Sequence, residues 1–161
     1  MRNDITSNSF YNFIPNSKHM DIHIIGKEEI NENVQKQVKE LFNQLNSNIK
    51  QRSLKEALQD SNNLVFAIYK EDEQILGMAT MATYKAISGY KGMIEDVVVD
   101  GGQRGKGLGR KLMEKLLEEG ENMGLDEILL FSGHHRTAAI KLYTSLGFQL
   151  KDSGLYRLIM D

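Results

Sequence analysis

The sequence contains no cysteine and no tryptophan, and its single proline is Pro15. Without cysteine the chain has no disulfide, no thiolate metal ligand and no cysteine nucleophile. One proline gives no Pro-rich linker, which argues against a second domain. The longest uninterrupted apolar run, residues 64–69, is far shorter than the roughly twenty residues that span a bilayer. We therefore predict no membrane partner.

Charge imbalance is also absent, because 20 lysines and arginines stand against 22 aspartates and glutamates, for a net charge of −2 at pH 7. A nearly neutral chain has no overall field that favours nucleic acid or an anionic membrane, so we predict no nucleic-acid partner. Residues 1–12 are polar and lack the apolar core of a secretion signal. We therefore expect a cytoplasmic protein.

Length and composition favour a single domain. The 161 residues, 40% of them hydrophobic, are enough to build one core, and we expect residues 20–161 to form that domain. Residues 1–19 are rich in asparagine and serine, with aromatic residues clustered near Pro15. They are predicted to be a poorly ordered N-terminal extension; the alternatives are a dimer contact or a cover over a substrate site.

Residues 94–113 carry the clearest functional signal. They begin as a strand with β-branched residues at Ile94 and at 97–99, and they continue as a helix with a leucine stripe. Between strand and helix, residues 104–109 contain three glycines and two cations. Glycine lets the backbone approach a ligand closely, and the first N–H groups of a helix bind anions. The pattern predicts a cradle for a phosphate or pyrophosphate group.

Two common nucleotide motifs do not fit this loop. A P-loop that starts at Gly102 needs a lysine where the chain has Leu108. A dinucleotide fingerprint that starts at Gly105 needs a third glycine where the chain has Arg110. Both nucleotide interpretations therefore fail at a required residue.

The loop does match R-x-x-G-x-G, in residues 104–109, and residues 139–148 read A-x-x-L-Y-x-x-x-G-F. A strand-like stretch, residues 128–131, lies between the two motifs. In this order they resemble the acyl-CoA pyrophosphate loop and the C-terminal motif of the GNAT family of N-acetyltransferases. The resemblance covers residues 94–148 firmly and residues 21–161 loosely.

The resemblance implies an α/β (α+β) GNAT fold. Its central sheet is mixed and mostly antiparallel, with about seven strands flanked by four helices and acetyl-CoA at the splay between the fourth and fifth strands. Residue patterns predict strands over 22–25, 63–69, 74–83, 93–99, 125–131, 148–150 and 155–160. They predict helices over 28–47, 53–60, 107–123 and 136–146. Residues 84–92 are predicted to be a connection.

The resemblance also implies acetyl-CoA as co-substrate and an amine as acceptor. The residues implied to bind CoA are Val97, Val98, Val99, Gln103, Arg104, Gly105, Lys106, Gly107, Leu108, Gly109, Arg110, Arg136 and Tyr143. At Arg136 the family often has asparagine, so contact with a CoA phosphate and contact with an acidic acceptor both stay open.

Catalysis of amine acetylation requires a base and an acid. Glu95 and Asp96 follow each other on a strand and are expected on opposite faces. A partly desolvated carboxylate there can take a proton from the acceptor ammonium. The resemblance to the glucosamine-phosphate branch favours Glu95, with Asp96, a water alone or a purely structural carboxylate as alternatives.

Tyr143 is implied as the acid that protonates the leaving thiolate, against the alternative of a core residue. A backbone N–H near Val97 is implied to polarise the thioester carbonyl.

The predicted function is therefore transfer of acetyl from acetyl-CoA to a primary amine, favouring a small molecule. A protein or peptide N-acetyltransferase is the first alternative, although Met93 stands where the histone-acetylating branch has glutamate. A non-catalytic acyl-CoA-binding module is the second alternative. A homodimer through the C-terminal hairpin or an exposed sheet edge is a further hypothesis.

Two further sets of residues have side chains that could bind a metal ion or the acceptor. The adjacent histidines 134 and 135 lack supporting ligand spacing, so we predict no metal site. The acceptor-contact candidates that the resemblance implies are Asn46, Asn48, Gln51 and Arg52, and the alternative for each of them is a solvated loop residue.

Overall fold

A mixed, mostly antiparallel sheet organises residues 19–160, the part of the chain described by this computed structural model. The strands are β1 (Met20–Ile24), β2 (Leu64–Glu71), β3 (Gln74–Ala86), β4 (Gly89–Val99) and β5 (Glu127–Leu130). The helices are α1 (Glu32–Leu45), α2 (Leu54–Ala57), α3 (Leu108–Asn122) and α4 (Thr137–Ser145). Strands β1 to β4 pair antiparallel in chain order, and β5 joins β4 in parallel. Apart from His19, the predicted extension lies outside the described residues.

The described residues form five strands rather than about seven. Residues 148–150 and 155–160, predicted to close the sheet as a hairpin, belong to no strand. A strand is defined by N–H and C=O groups that pair with a neighbouring strand, and neither segment makes such pairs within residues 19–160. The outer edge of β5 is therefore without a partner in the described part of the chain.

The prediction of a connection over residues 84–92 is also wrong. Strand β3 continues to Ala86 and β4 already begins at Gly89, so a tight turn joins the two strands as a long hairpin. Gly89 has a φ of +128°, which residues with a side chain rarely adopt. The glycine therefore marks a hairpin turn. Lys85 Nζ lies 4.9 Å from the Tyr90 ring centroid across this hairpin, which adds a cation–π contact.

Capping residues decide where the helices begin. The predicted helix 28–47 starts only at Glu32, where the Asn31 side chain caps it by accepting a hydrogen bond from Val34 N. Lys27–Glu29 form a separate 3₁₀ turn before it. Ser53 caps α2 in the same way, as its pattern predicts, by accepting from Glu56 N. No helix within residues 19–160 has the length and apolar character needed to cross a membrane.

Each face of the sheet has its own core. On one face, α1 and α2 cover a cluster that includes Val38, Leu41, Phe66, Ile68 and Met78. On the other face, α3 packs its fully buried side chains Leu112, Met113 and Leu116. The alternation along the strands separates the two clusters. Gly77 of β3 permits this packing, because a Cβ there would lie 2.9 Å from Leu112 Cδ1.

Truncation of this core should destabilise the protein strongly. Leu112 is 0% exposed, so we expect Leu112→Ala to lower the free energy of unfolding by about 2–5 kcal/mol through lost burial and a cavity. The matched control is Glu121→Ala, an exposed position on the same helix, expected to change stability by less than about 0.5 kcal/mol. Urea denaturation followed by circular dichroism measures both, and equal effects would contradict the assigned packing of α3.

Candidate functional site

Strands β4 and β5 separate where the candidate site begins. Their parallel pairing runs from Lys91 with Glu127 to Ile94 with Leu130 and stops there. Residues 95–99 of β4 therefore continue beyond the end of β5. The pairing thus ends in the region where a splay between the fourth and fifth strands was predicted, and within residues 19–160 this part of β4 has no strand partner on that side.

Strand β4 contains a β-bulge in this region. Val98 pairs with Met78, but Glu95 pairs with Thr80, so β4 has one more residue than β3 in this interval. Asp96 has a φ of +51°, a conformation that costs on the order of 1–3 kcal/mol and is concentrated at functional sites. Bulges bend a strand and redirect its side chains. The simple alternation expected for Glu95 and Asp96 does not hold here.

The glycine-rich loop presents free N–H groups. Gly105 and Gly107 both have a φ of +79°, and α3 begins directly after Gly107. Within residues 19–160, the N–H groups of Leu108, Gly109 and Arg110 donate no hydrogen bond. A Cβ built on Gly105 or Gly107 would meet nothing within 4 Å, so the space over the loop is open. The loop thus has the donors and the room that a phosphate group requires.

Helix α1 holds the start of this loop. Gln44 donates from Nε2 to Asp100 Oδ2 at 2.9 Å and accepts from Gly101 N at 2.9 Å. Asp100 in turn accepts from Gly102 N at 3.0 Å. The role of Gln44 was not predictable from the sequence, because a glutamine on a helix gives no sign of a partner so distant in the chain.

The loop cations have different partners. Arg104 donates from Nε to the Val99 carbonyl at 3.3 Å, and Lys106 Nζ lies 2.7 Å from Gln103 Oε1. Both therefore stay close to the loop. Arg110 instead contacts Glu114 at 3.2 Å and Ser145 Oγ at 2.5 Å, so its guanidinium joins α3 to α4.

A groove of about 410 Å³ leads away from the loop. One wall is the end of β4, residues 97–99, and the other is formed by residues 135–139 at the start of α4. Gln44, Leu45 and Arg104 complete the lining. The groove thus brings the predicted strand end, Arg104 and Arg136 together.

A smaller cavity of about 200 Å³ adjoins the groove and contains the candidate catalytic residues. Glu95, Asp96 and Tyr143 all line it, and Arg136 lines both spaces. The remaining lining residues are Phe42, Leu45, Asn46, Ile49, Ile94, Val97, Leu130 and Phe131. The expectation that Glu95 and Asp96 face opposite sides is therefore wrong, because the bulge at Asp96 breaks the alternation.

The surroundings shift the proton affinities of these groups. Burial raises the pKa of the Glu95 carboxyl, and the neighbouring Asp96 carboxylate raises it further. Burial also raises the pKa of Asp96, opposed by its hydrogen bond with Thr80. Burial raises the pKa of the Tyr143 phenol, against the opposing charge of Arg136. The cavity thus combines carboxylates of increased basicity with a phenol that keeps its proton.

Most acceptor-contact candidates lie away from this cavity. Asn46 lines it, whereas the Gln51 side chain bonds to α1 through the Lys39 carbonyl and Asn43. Arg52 forms an ion pair with Glu56 at 2.8 Å. Apart from Val97, the apolar residues of the cavity wall were missed, because their spacing matches that of ordinary core residues.

The two adjacent histidines do not form a cluster. His135 lines the groove, while His134 lines a separate cavity beside β5. No group of three or more histidine, cysteine, aspartate or glutamate side chains within residues 19–160 is arranged to hold a metal ion.

The model of the acetyltransferase (GNAT) family matches residues 35–148. The chain belongs to this family. The match contains both motifs from which the resemblance was drawn, and it confirms that resemblance.

Curated relatives match the chain over part of their length. The L-methionine sulfoximine/L-methionine sulfone acetyltransferase of Pseudomonas aeruginosa is 33% identical over 78 residues, 48% of this chain and 45% of that protein. An L-amino acid N-acyltransferase of Escherichia coli is 29% identical over 82 residues, 50% of this chain and 48% of that protein. The chain thus spans about half the length of these relatives.

Solved structures share the fold. An acetyltransferase from Trypanosoma brucei has a TM-score of 0.72 at 22% identity, covering 88% of this chain and 100% of that chain. Glucosamine-6-phosphate N-acetyltransferase from Arabidopsis thaliana has a TM-score of 0.67 at 22% identity, covering 89% and 100%. An aminoglycoside N-acetyltransferase in complex with CoA has a TM-score of 0.73 at 21% identity, covering 91% and 98%. The predicted fold class is therefore confirmed, with fewer strands in the described residues.

Proposed function

We propose that the protein is an acetyl-CoA-dependent N-acetyltransferase that acts on a primary amine of a small molecule by direct attack. One observation carries the proposal. Glu95 and Tyr143 line the same cavity, and this cavity shares lining residues with a groove that Arg104 of the loop also lines. The proposed proton acceptor and proton donor thus lie next to the groove proposed for the co-substrate.

The loop has the properties needed to bind the pyrophosphate of CoA. Its free N–H groups at Leu108, Gly109 and Arg110 point outward from the start of α3. Arg104 and Lys106 add positive charge beside them. Acetyl-CoA, when bound, supplies the acetyl group as a thioester. Residues 97–99 would pair with the amides of the pantetheine arm, as an added strand pairs with a sheet edge.

Glu95 is proposed as the general base. A primary amine is almost entirely protonated at neutral pH and must lose a proton before it attacks. Burial and Asp96 raise the pKa of Glu95, which strengthens it as a proton acceptor. The side chain is also exposed enough to exchange that proton with solvent. Asp96, in the same cavity, is the competing candidate.

Tyr143 is proposed as the general acid. Its phenol has a raised pKa because it is partly buried, so it holds a proton that it can donate to the departing thiolate. Val97 lines both the groove and the cavity, and its N–H is proposed to donate a hydrogen bond to the carbonyl under attack.

The size and the charges of the cavity also favour one chemical class of acceptor. At about 200 Å³ it fits a small molecule better than a polypeptide segment. Two carboxylates, Glu95 and Asp96, favour an ammonium group, and Arg136 offers a guanidinium that matches a carboxylate. An α-amino acid with an apolar side chain has both charges and suits the apolar walls. The curated relatives named above act on amino acids, which supports the same class.

Thiol release from acetyl-CoA tests this function. The chain has no cysteine, so a chromogenic disulfide reports only the CoA thiol. The panel should contain L-amino acids, the matching amines without a carboxylate, polyamines, aminosugars and short peptides. We expect turnover with small amines, greatest with amino acids. Turnover confined to peptides would instead establish the protein-acetylating alternative.

One substitution distinguishes the proposed enzyme from a non-catalytic acyl-CoA-binding module. Tyr143→Phe retains the ring that packs 6.2 Å from Phe148 but removes the hydroxyl, so we expect acetyl-CoA affinity to persist and turnover to fall. If acetyl-CoA binds while every amine of the panel stays inert, the non-catalytic alternative is supported and the proposed function fails.

A further inference from the structure

Strand β3 carries a buried hydroxyl group opposite the bulge of β4. Thr80 is 7% exposed and lies between Ala79 and Met81, which are both 0% exposed. A buried hydroxyl costs free energy unless it makes a hydrogen bond, and a valine of similar shape would avoid that cost. The packing of the sheet alone therefore gives no reason for a hydroxyl at this position.

Both partners of the Thr80 hydroxyl belong to the bulge. Thr80 pairs with Glu95 in the register of β3 and β4, and its Oγ1 donates a hydrogen bond to the Glu95 backbone carbonyl at 3.1 Å. Burial raises the pKa of the Asp96 carboxyl, and a hydrogen bond with the same hydroxyl opposes that rise. One side chain thus contacts both candidate bases, through the backbone of Glu95 and the side chain of Asp96.

The Glu95 carbonyl has a position that affects the direction of both carboxylate side chains. The peptide group between Glu95 and Asp96 is planar, so a hydrogen bond to its oxygen restrains the orientation of the whole group. That orientation is coupled to ψ of Glu95 and φ of Asp96, the rotations on either side of the plane. The φ of Asp96 is +51°, an unfavourable value that persists only where the surrounding structure holds it. Thr80 supplies such a restraint from the neighbouring strand.

We propose that Thr80 is a positioning residue, whose hydroxyl holds the peptide group between Glu95 and Asp96 so that both carboxylates face the smaller cavity. Thr80 itself does not line that cavity, so it acts through the two carboxylate residues. The charged and titratable groups that line the cavity are Glu95, Asp96, Arg136 and Tyr143. The catalytic consequence rests on the function proposed above, whereas the restraint on the bulge does not.

The same hydroxyl also favours an ionised Asp96. A hydrogen-bond donor stabilises the charged form of a carboxyl group. Burial raises the pKa of the Glu95 carboxyl, and the charge of Asp96 raises it further. Thr80 thus supports the basicity of Glu95 indirectly, because it helps to keep the charge on the neighbouring residue.

NMR titration of isotope-labelled side-chain carboxyl groups tests this restraint on the full chain without any substrate. Thr80→Val preserves the shape of the side chain and removes the hydroxyl, so the Asp96 carboxyl should titrate at higher pH than in the parent protein. Thr80→Ser keeps the hydroxyl and should titrate as the parent does. If valine prevents folding, Thr80→Ala removes the same hydroxyl without adding bulk. An Asp96 carboxyl that titrates identically with and without the hydroxyl would overturn the proposal.

Thr83→Val is the matched control. Thr83 lies on the same strand, is 5% exposed, and donates from Oγ1 to the Asn63 carbonyl at 3.1 Å. Neither Thr83 nor Asn63 lines the smaller cavity. The control therefore loses a comparable buried hydroxyl, but its Asp96 carboxyl should titrate as in the parent protein. A shift as large as that of Thr80→Val would show a general effect of weakening β3 and would refute a specific role for Thr80.

Steady-state kinetics tests whether the restraint serves catalysis. Because misplacement of a catalytic group costs on the order of a hundredfold, we expect Thr80→Val to lower kcat/KM by roughly 10- to 100-fold. Acetyl-CoA affinity should be unchanged, and Thr80→Ser should restore the rate.

A double variant shows whether Thr80 acts through Glu95. Adding Thr80→Val to Glu95→Gln should cause no further loss, because the group that Thr80 positions is already gone. Additive losses would overturn the positioning role. A parent protein that is inactive toward every amine would refute the proposed function instead, and the NMR titration would still decide whether Thr80 holds the bulge.

Discussion

Acetyl-CoA binding is expected to be lost when Gly107 is replaced by aspartate. Gly107 immediately precedes α3, beside N–H groups that have no partner among residues 19–160. An aspartate carboxylate there would face the pyrophosphate, and two unit charges 4 Å apart repel by about 4 kcal/mol near a protein surface. This corresponds to a loss of affinity of roughly a thousandfold. Isothermal titration calorimetry with acetyl-CoA measures it.

Gly124→Asp is the matched control for that variant. Gly124 also has a positive φ, +69° against +79° at Gly107, and a Cβ at either position meets nothing within 4 Å. The two substitutions therefore impose similar backbone strain, but Gly124 lies beyond the far end of the same helix. We expect Gly124→Asp to bind acetyl-CoA normally. If Gly107→Asp binds equally well, the loop does not hold the pyrophosphate.

Glu95→Gln should lower kcat/KM by about 10²- to 10⁴-fold near neutral pH, the usual contribution of a general base. The base works only when deprotonated, and burial together with Asp96 raises the pKa of Glu95. Parent activity should therefore fall as the pH drops through that raised pKa. The pH profile of the variant should lack this fall on its acid side. At high pH the acceptor amine is already neutral, so the two rates should converge. Steady-state kinetics across pH measures the difference.

Asp96→Asn tests which of the two carboxylates, Glu95 or Asp96, is the base. Asparagine tolerates the positive φ found at Asp96, so the bulge should persist. The Asp96 charge raises the pKa of Glu95. Removing that charge should therefore move the fall in activity on the acid side of the pH profile to lower pH, while activity is retained. If Asp96→Asn abolishes turnover and Glu95→Gln does not, Asp96 is the base.

The conformation of the glycine-rich loop was predictable because its requirements are local. Positive φ at Gly105 and Gly107 and the helix that starts after them depend on neighbouring residues alone. The brace from Gln44 to Asp100 was not predictable, since it joins residues 56 apart in the chain. Only the packing of α1 against the sheet brings them into contact.

Strand pairing explains the errors in the sheet. Residues 148–150 and 155–160 have strand-like composition, but composition does not determine which sheet edge a segment pairs with. In the described chain these segments pair with no strand. The same limit applies to Glu95 and Asp96. Their alternation is a property of a regular strand, and the register shift against β3 that removes it is set by the partner strand.

The sequence by itself determined the family, the order of the helices and the first five strands, and the residues of the glycine-rich loop. These follow from side-chain periodicity and glycine placement, which act over a few residues. The tertiary structure decided that Glu95, Asp96, Arg136 and Tyr143 share one cavity. It also left the β5 edge and residues 155–160 unpaired within the described chain. Such outcomes depend on register and packing between segments far apart in the chain, which local patterns do not encode.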